Sequence, residues 1–239
     1  MNETIRVDVW SDIACPWCFL GKHRFARGLE AFAEANPGVR VEVEHHSYEL
    51  APDTPEDFSG SEYDFLAKHK GMPLPRVQDM LGEMTRLAAS EGLTFDFDRL
   101  QHVNTRRAHR ILHLAKDRGV QSEVLERLFR AYFSEGLDLS DPERLADLAA
   151  EAGLDRAEAR AALDDPAYGD AVDSDITRAR MLGVTGVPFF LFDQKYAVPG
   201  AQGAEVFTDV LGQVLQLGRS GEGAGENGSD GSTNEGEAR

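Results

Sequence analysis

The sequence predicts an α/β fold in which a large all-helical segment interrupts a strand–helix–strand start and a strand–strand–helix finish. Three observations predict it. Residues 5–10 (IRVDVW) and 39–46 (VRVEVEHH) alternate apolar and polar side chains, as half-buried strands do, on either side of a helical run. Residues 61–168 then read as one helix after another. Residues 187–192 (VPFFLF) and 195–198 return to strand character before a last amphipathic helix at 205–217.

The first helix is expected from Pro16, because proline suits the first helical turn. Phe19, Phe25, Ala26, Leu29 and Phe32 form its apolar face, and Asn36-Pro37-Gly38 ends it. A strand–helix–strand unit of this kind implies a right-handed crossover and parallel pairing. Residues 51–60 are rich in proline, aspartate and glycine and read as a loop. Within the helical segment, Gly71, Gly92, Gly119, Gly136 and Gly153 fall where C-terminal caps want positive φ. Asp141-Pro142-Glu143 reads as an N-cap followed by a first-turn proline. A further helix is expected at 171–182, and a short turn at Asp193-Gln194 joins the two late strands. From about Arg219 the chain has no large apolar residue, so an acidic, glycine- and serine-rich tail is expected to be disordered. Helices inserted into a thioredoxin-like frame account for this order. The frame is assigned to 1–60 and 169–218, the inserted helical domain to 61–168 and the tail to 219–239.

The 239 residues are 41% hydrophobic and 28% charged, enough apolar material for a globular core, and the net charge is −17. Such a surface repels nucleic acid, and the basic cluster of Arg106, Arg107 and Arg110 is flanked by acidic residues. No apolar run approaches the roughly 18 residues of a membrane span. MNETIRVDVWSD is not a secretory signal, so a cytoplasmic location is expected. Stable structural disulfides are uncommon there. The acidic excess reads as solubility or adaptation to high salt.

Both cysteines lie in VDVWSDIACPWCFLGKHRF, at Cys15 and Cys18. In a reducing compartment this spacing points to redox chemistry or metal. A catalytic cysteine reacts as thiolate, and the start of a helix favours an anion through its free N–H groups and dipole. That places Cys15 as the nucleophile. Cys18, one turn on and more shielded, is the resolving thiol. Pro16 starts the helix, and Trp17 adds an apolar face beside the sulfur. Two other readings compete. Zinc would need histidines to complete a four-ligand set, from His45 and His46 or from His109 and His113. Inert buried thiols are the other. No metal is expected.

A second signal is GVTGVPFF at 183–190. A proline that opens a strand after a glycine turn is a candidate cis peptide. If Val187–Pro188 is cis, the Val187 backbone is free to pair with an extended substrate beside Cys15.

Together the two signals resemble the DsbA family of thiol-disulfide oxidoreductases, and within it the FrnE-like branch related to polyketide-biosynthesis dithiol-disulfide isomerases. The resemblance runs over about residues 5–217 and is carried by WSDIACPWCFLGK, NTRRAHRILHLA, LFRAYFSEGLDLSD and GVTGVPFF. It implies catalytic roles for Cys15 and Cys18 and substrate contact for Val187 and Pro188; Pro16 and Trp17, beside the sulfur, are expected to bind substrate as well. It also implies that the helical insertion roofs the cleft, with Asn104 and His109 as candidate lining residues; a helix cap and a buried histidine are the plain alternatives. Substrates would be protein or small-molecule thiols and disulfides. No bound cofactor is expected beyond the redox-active Cys15–Cys18 pair, with glutathione a candidate co-substrate. Some FrnE-like members carry further cysteines, and this chain has none. A glutathione-dependent transferase of the kappa class, or an enzyme like 2-hydroxychromene-2-carboxylate isomerase, is the alternative; those enzymes usually hold a serine where Cys15 stands. A non-catalytic peptide-binding protein or chaperone is a third. Monomer and homodimer both stay open, as does the direction of electron flow.

Overall fold

The computed structural model describes residues 3–55, 58 and 60–223. Strand β1 (Glu3–Ser11) leads into helix α1 (Pro16–Ala35), and β2 (Val39–Ser47) follows. Helices α2 (Glu62–Asp64, continued as a π-helical turn Phe65–His69), α3 (Leu74–Ser90), α4 (Arg106–Asp117) and α5 (Gln121–Phe129, continued as a π-helical turn Arg130–Ser134) come next. After them stand α6 (Pro142–Glu151), α7 (Arg156–Ala162) and α8 (Pro166–Met181), then β3 (Phe189–Phe192), β4 (Tyr196–Pro199) and α9 (Ala204–Gly223). The sheet order is β2-β1-β3-β4. β1 runs parallel to β2, with Val7 opposite Val43, and antiparallel to β3, with Val9 opposite Phe190. This is the thioredoxin-like α/β architecture with helices between its second and third strands.

β1 is central and buried on both faces from Val7 onward, although its sequence alternates. One face sends Ile5, Val7 and Val9 into a core with Phe25 and Phe32 of α1, Phe190 and Phe192 of β3, and Phe207 and Leu211 of α9. Each such side chain contributes about 1.5–3 kcal/mol of burial. The other face carries Asp8 and Trp10. Trp10 packs against Ala179 of α8, Val184 and Leu191, and donates its indole N–H to the Asp175 carbonyl at 3.1 Å. α1 and α9 approach closely at Gly28, where an added Cβ would stand 2.5 Å from the Ala204 carbonyl.

His45 and His46, weighed above as metal ligands, serve elsewhere. The His46 ring bridges Asp8 at 2.6 Å and Asp175 at 2.8 Å, tying β2, β1 and α8 together. Gln121 accepts from the His45 amide and donates to its carbonyl (3.0 and 2.8 Å), closing the β2 edge as a neighbouring strand would.

The five glycines expected at helix ends all have positive φ, and at Gly136 (φ 61°) an added Cβ would also meet Arg99. Asp193 and Gln194 (φ 47° and 59°) are the central residues of the turn between β3 and β4, closed by the Lys195 amide donating to the Phe192 carbonyl at 3.0 Å. Several boundaries differ from expectation, three of them informatively. β3 starts at Phe189 rather than 187, because the two preceding residues form the loop at Cys15. α8 starts at Pro166, five residues before the expected helix, where Asp165 caps it by accepting from the Ala167 amide. α9 runs on to Gly223, and Arg219, expected to begin the tail, is helical and paired with Glu3 at 2.7 Å. Residues 224–239 lie outside the described residues.

Candidate active site

Cys15 occupies the N-cap position of α1 with extended backbone (φ −94°, ψ 110°), and Pro16 is the first helical residue. The Cys15 amide donates to the Asp12 carbonyl at 3.1 Å, while its own carbonyl accepts from the Cys18 amide at 3.0 Å. Both cysteines are free thiols. Cys15 is 3% exposed and Cys18 1%, whereas Trp17 between them is 45% exposed. Burial pushes the Cys18 thiol up, and the neighbouring Cys15 sulfur and the Asp12 charge add to the shift. Cys18 therefore stays protonated until a base takes its proton.

The Val187–Pro188 peptide is cis, and the Cys15 thiol donates to the Val187 carbonyl at 3.6 Å. Two residues 172 positions apart thus meet at the reacting sulfur. Beneath them Gly21 makes room: a Cβ there would stand 2.9 Å from Pro188 Cγ. The Pro188 carbonyl accepts from the Gly200 amide at 2.8 Å, which fixes the loop to the end of β4.

Asp12 is the feature that motif reading missed. Its carboxylate accepts from the Leu50 amide at 2.7 Å and the Ala14 amide at 3.3 Å, and His109 Nε2 stands 3.4 Å away. Burial favours the protonated form. The His109 imidazole, the Leu50 amide and the Thr105 hydroxyl outweigh it and hold the carboxyl below the usual carboxylate range. His109 itself is fully buried, and neither ring nitrogen makes an aligned hydrogen bond among the described residues.

Ala14, Pro16 and Trp17 form one wall of a cleft of about 400 Å³ whose other walls include Leu50, Phe65, Met80 and Met84. Asp12, Glu62 and His102 also reach it. Of the two lining candidates, Asn104 faces elsewhere. It donates to the Thr54 carbonyl at 2.7 Å, accepts from the Arg106 amide at 2.9 Å and borders a separate polar cavity with Glu49 and Arg106. His109 lies beyond Asp12 rather than on the cleft wall. Among the described residues no group of three or more His, Cys, Asp or Glu is arranged to hold a metal ion. Among the same residues no helix is long and apolar enough to cross a membrane.

A family model for a DSBA-like thioredoxin domain matches residues 6–212. The chain belongs to this DSBA-like family. Members of the family are thiol-disulfide oxidoreductases acting on thiol and disulfide substrates. The DSBA-like chain is 31% identical over 215 residues to YwbO of Bacillus subtilis, covering 87% of this chain and 96% of that one. It is also similar to a crystal structure from Streptomyces coelicolor described as the probable DsbA oxidoreductase SCO1869. There the identity is 43% and the TM-score 0.81, over 89% of this chain and 90% of that one. At lower identity the likeness is one of fold. DsbM of Pseudomonas aeruginosa, a cytosolic disulfide reductase solved with GSH, shares 19% identity with a TM-score of 0.64, over 89% of this chain and 100% of that one. A 2-hydroxychromene-2-carboxylate isomerase shares 16% with a TM-score of 0.61, over 92% and 100%.

Proposed function

We propose that this protein is a thiol-disulfide oxidoreductase or isomerase of the cytoplasm in which Cys15 attacks and Cys18 resolves. The observation that carries the reading is the arrangement at Cys15: a helix-start cysteine, held against the Val187 carbonyl, with a buried partner thiol one turn away. The Cys15 thiolate attacks one sulfur of a substrate disulfide, a mixed disulfide forms, and the other substrate sulfur leaves as a thiolate. Cys18 then gives up its proton and attacks the Cys15 sulfur, releasing the second substrate thiolate. Two electrons pass from the cysteine pair to the substrate, and the pair ends as the Cys15–Cys18 disulfide. Glutathione is a fitting co-substrate to reduce it, and the reverse sequence oxidises a dithiol. The Asp12 carboxylate, held ionised by His109 and the Leu50 amide, keeps the Cys18 thiol protonated while the first step takes place.

Trp17 and Pro16 contact the apolar part of a protein or small-molecule substrate, and Val187 and Pro188 border the reacting sulfur. A glutathione transferase or isomerase would use one nucleophile and leave Cys18 dispensable. Turnover of a peptide disulfide in a glutathione buffer tests the proposal. Cys15→Ser is expected to lose all measurable exchange; a Cys15→Ser protein working at the wild-type rate would refute it.

A further inference from the structure

The cleft beside Cys15 holds a histidine–carboxylate pair with no part in the exchange chemistry above. Glu62 opens α2 behind the Ser61 cap, whose hydroxyl accepts from the Asp64 amide at 3.1 Å. A single bridge between Ser61 and Gln101 and the His102 amide donating to the Gly60 carbonyl (2.9 Å) set the two segments in register. The register brings His102 Nδ1 to 2.9 Å from Glu62 Oε2. Phe65, nearly a turn on from Glu62, stacks on the imidazole with centroids 3.4 Å apart and planes at 10°. Phe58 meets it edge-on at 5.6 Å. The ring has no freedom to turn.

A carboxylate only accepts, so Nδ1 carries the proton that is donated to Glu62. When the ring is neutral, Nε2 is left as an acceptor. It is buried, and it has no partner among the described residues. A buried acceptor left without a partner is costly unless something meets the nitrogen. The cleft that His102 lines is largely apolar, with Leu66, Leu81, Met84 and Val103 beside the polar Lys70 and Thr105. A ligand that meets the Nε2 nitrogen and the apolar part of this wall has an apolar body and a hydrogen-bond donor.

We propose that His102, oriented by Glu62, is the anchor of the substrate cleft, accepting a hydroxyl or amide N–H from an apolar thiol or disulfide whose sulfur reacts at Cys15. This rests on the exchange chemistry proposed above and adds the class of substrate. The anchor binds the substrate's body and takes no part in electron transfer.

A matched pair of disulfides tests it: one built from para-hydroxyphenethyl thiol, the other from phenethyl thiol. The two carbons between ring and sulfur keep the reacting sulfurs alike. Oxidation of the reduced protein, followed by the loss of protein thiols after acid quenching and removal of the small molecules, is expected to be about 5- to 10-fold faster with the hydroxylated compound, the worth of one buried hydrogen bond. In His102→Leu the ratio of the two rates should fall to about one, and in Glu62→Gln, which no longer fixes the tautomer, it should shrink. Equal rates in the wild type, or a ratio unchanged in His102→Leu, would overturn the anchor. No oxidation by either compound would instead overturn the exchange chemistry. A second measurement judges the anchor without turnover or substitution: para-ethylphenol added to the wild-type protein should shift the His102 Nε2 nitrogen resonance, and ethylbenzene should not. Equal shifts with both compounds, or none with either, would overturn it.

Discussion

Gly21 and Pro188 are in such close contact that one methyl group on Gly21 would stand 2.9 Å from the Pro188 ring and 3.3 Å from the Ala201 Cβ. The glycine sits in the second turn of α1, where helix propensity alone favours alanine by about 1 kcal/mol. Its presence is explained by the approach of the loop that carries Val187 to Cys15. Gly21→Ala is therefore expected to displace that loop. Overpacking of this kind costs about 1–3 kcal/mol, offset in part by the propensity gain. Misplacing the Val187 carbonyl should slow exchange by about tenfold or more. Urea unfolding and turnover of a peptide disulfide read the two effects. A Gly21→Ala protein that is more stable and equally active would show that the contact does not position the site.

Asp12→Asn acts on the second chemical step. The amide oxygen can still accept from the Leu50 amide, so the fold should hold. The negative charge that pushes the Cys18 thiol up is gone, so Cys18 should ionise more readily and resolution of the mixed disulfide is expected to speed up by about tenfold. Rapid acid quenching followed by mass analysis should show less of the mixed disulfide than in the wild type. Resolution at the wild-type rate would remove Asp12 from the mechanism.

His46 makes stability depend on pH. Burial alone would push its pKa down, but the hydrogen bonds to Asp175 and Asp8 and the charge of Glu44 push it up to about 9. The ordinary value in an unfolded chain is about 6.5. The folded state therefore holds the proton more tightly, and the stabilisation is complete below about pH 6.5, declines above it and is gone beyond about pH 9. The shift corresponds to roughly 3 kcal/mol. Asp8 and Asp175 are held below their ordinary values, so their contribution is lost in acid instead. Urea denaturation between pH 6 and pH 10 should show the decline in the wild type and a flatter profile in His46→Gln. Equal slopes would contradict the charge network described here.

Much of this was legible in the chain itself. The alternation of IRVDVW and VRVEVEHH, the proline after Cys15 and the glycines at helix ends act locally, so the frame and helix ends followed from short stretches. Asp165-Pro166 carries the same N-cap signal as Asp141-Pro142, and a longer α8 could have been read from it. Gly21 and Gly28 were opaque, because nothing near them in sequence reveals that Pro188 or Ala204 will touch them. Asp12 stands in WSDIACPWCFLGK with no neighbour in sequence to mark a role; its significance depends on the Leu50 amide and on His109, nearly 100 residues away. Glu62 and His102 are 40 residues apart and meet only through the Ser61–Gln101 bridge. Asn104 was placed near the cleft by resemblance, whereas its hydrogen bonds to Thr54 and Arg106 commit it to the loop and the start of α4.

The central claim is the division of labour between two sulfurs. Cys18→Ser, mixed with a disulfide-bonded peptide, should hold the peptide covalently, and mass analysis of the digested complex should place the bond on Cys15. Cys15→Ser, with only the buried Cys18 left, should hold none. A peptide captured on Cys18 in Cys15→Ser, or no capture by Cys18→Ser, would contradict the account.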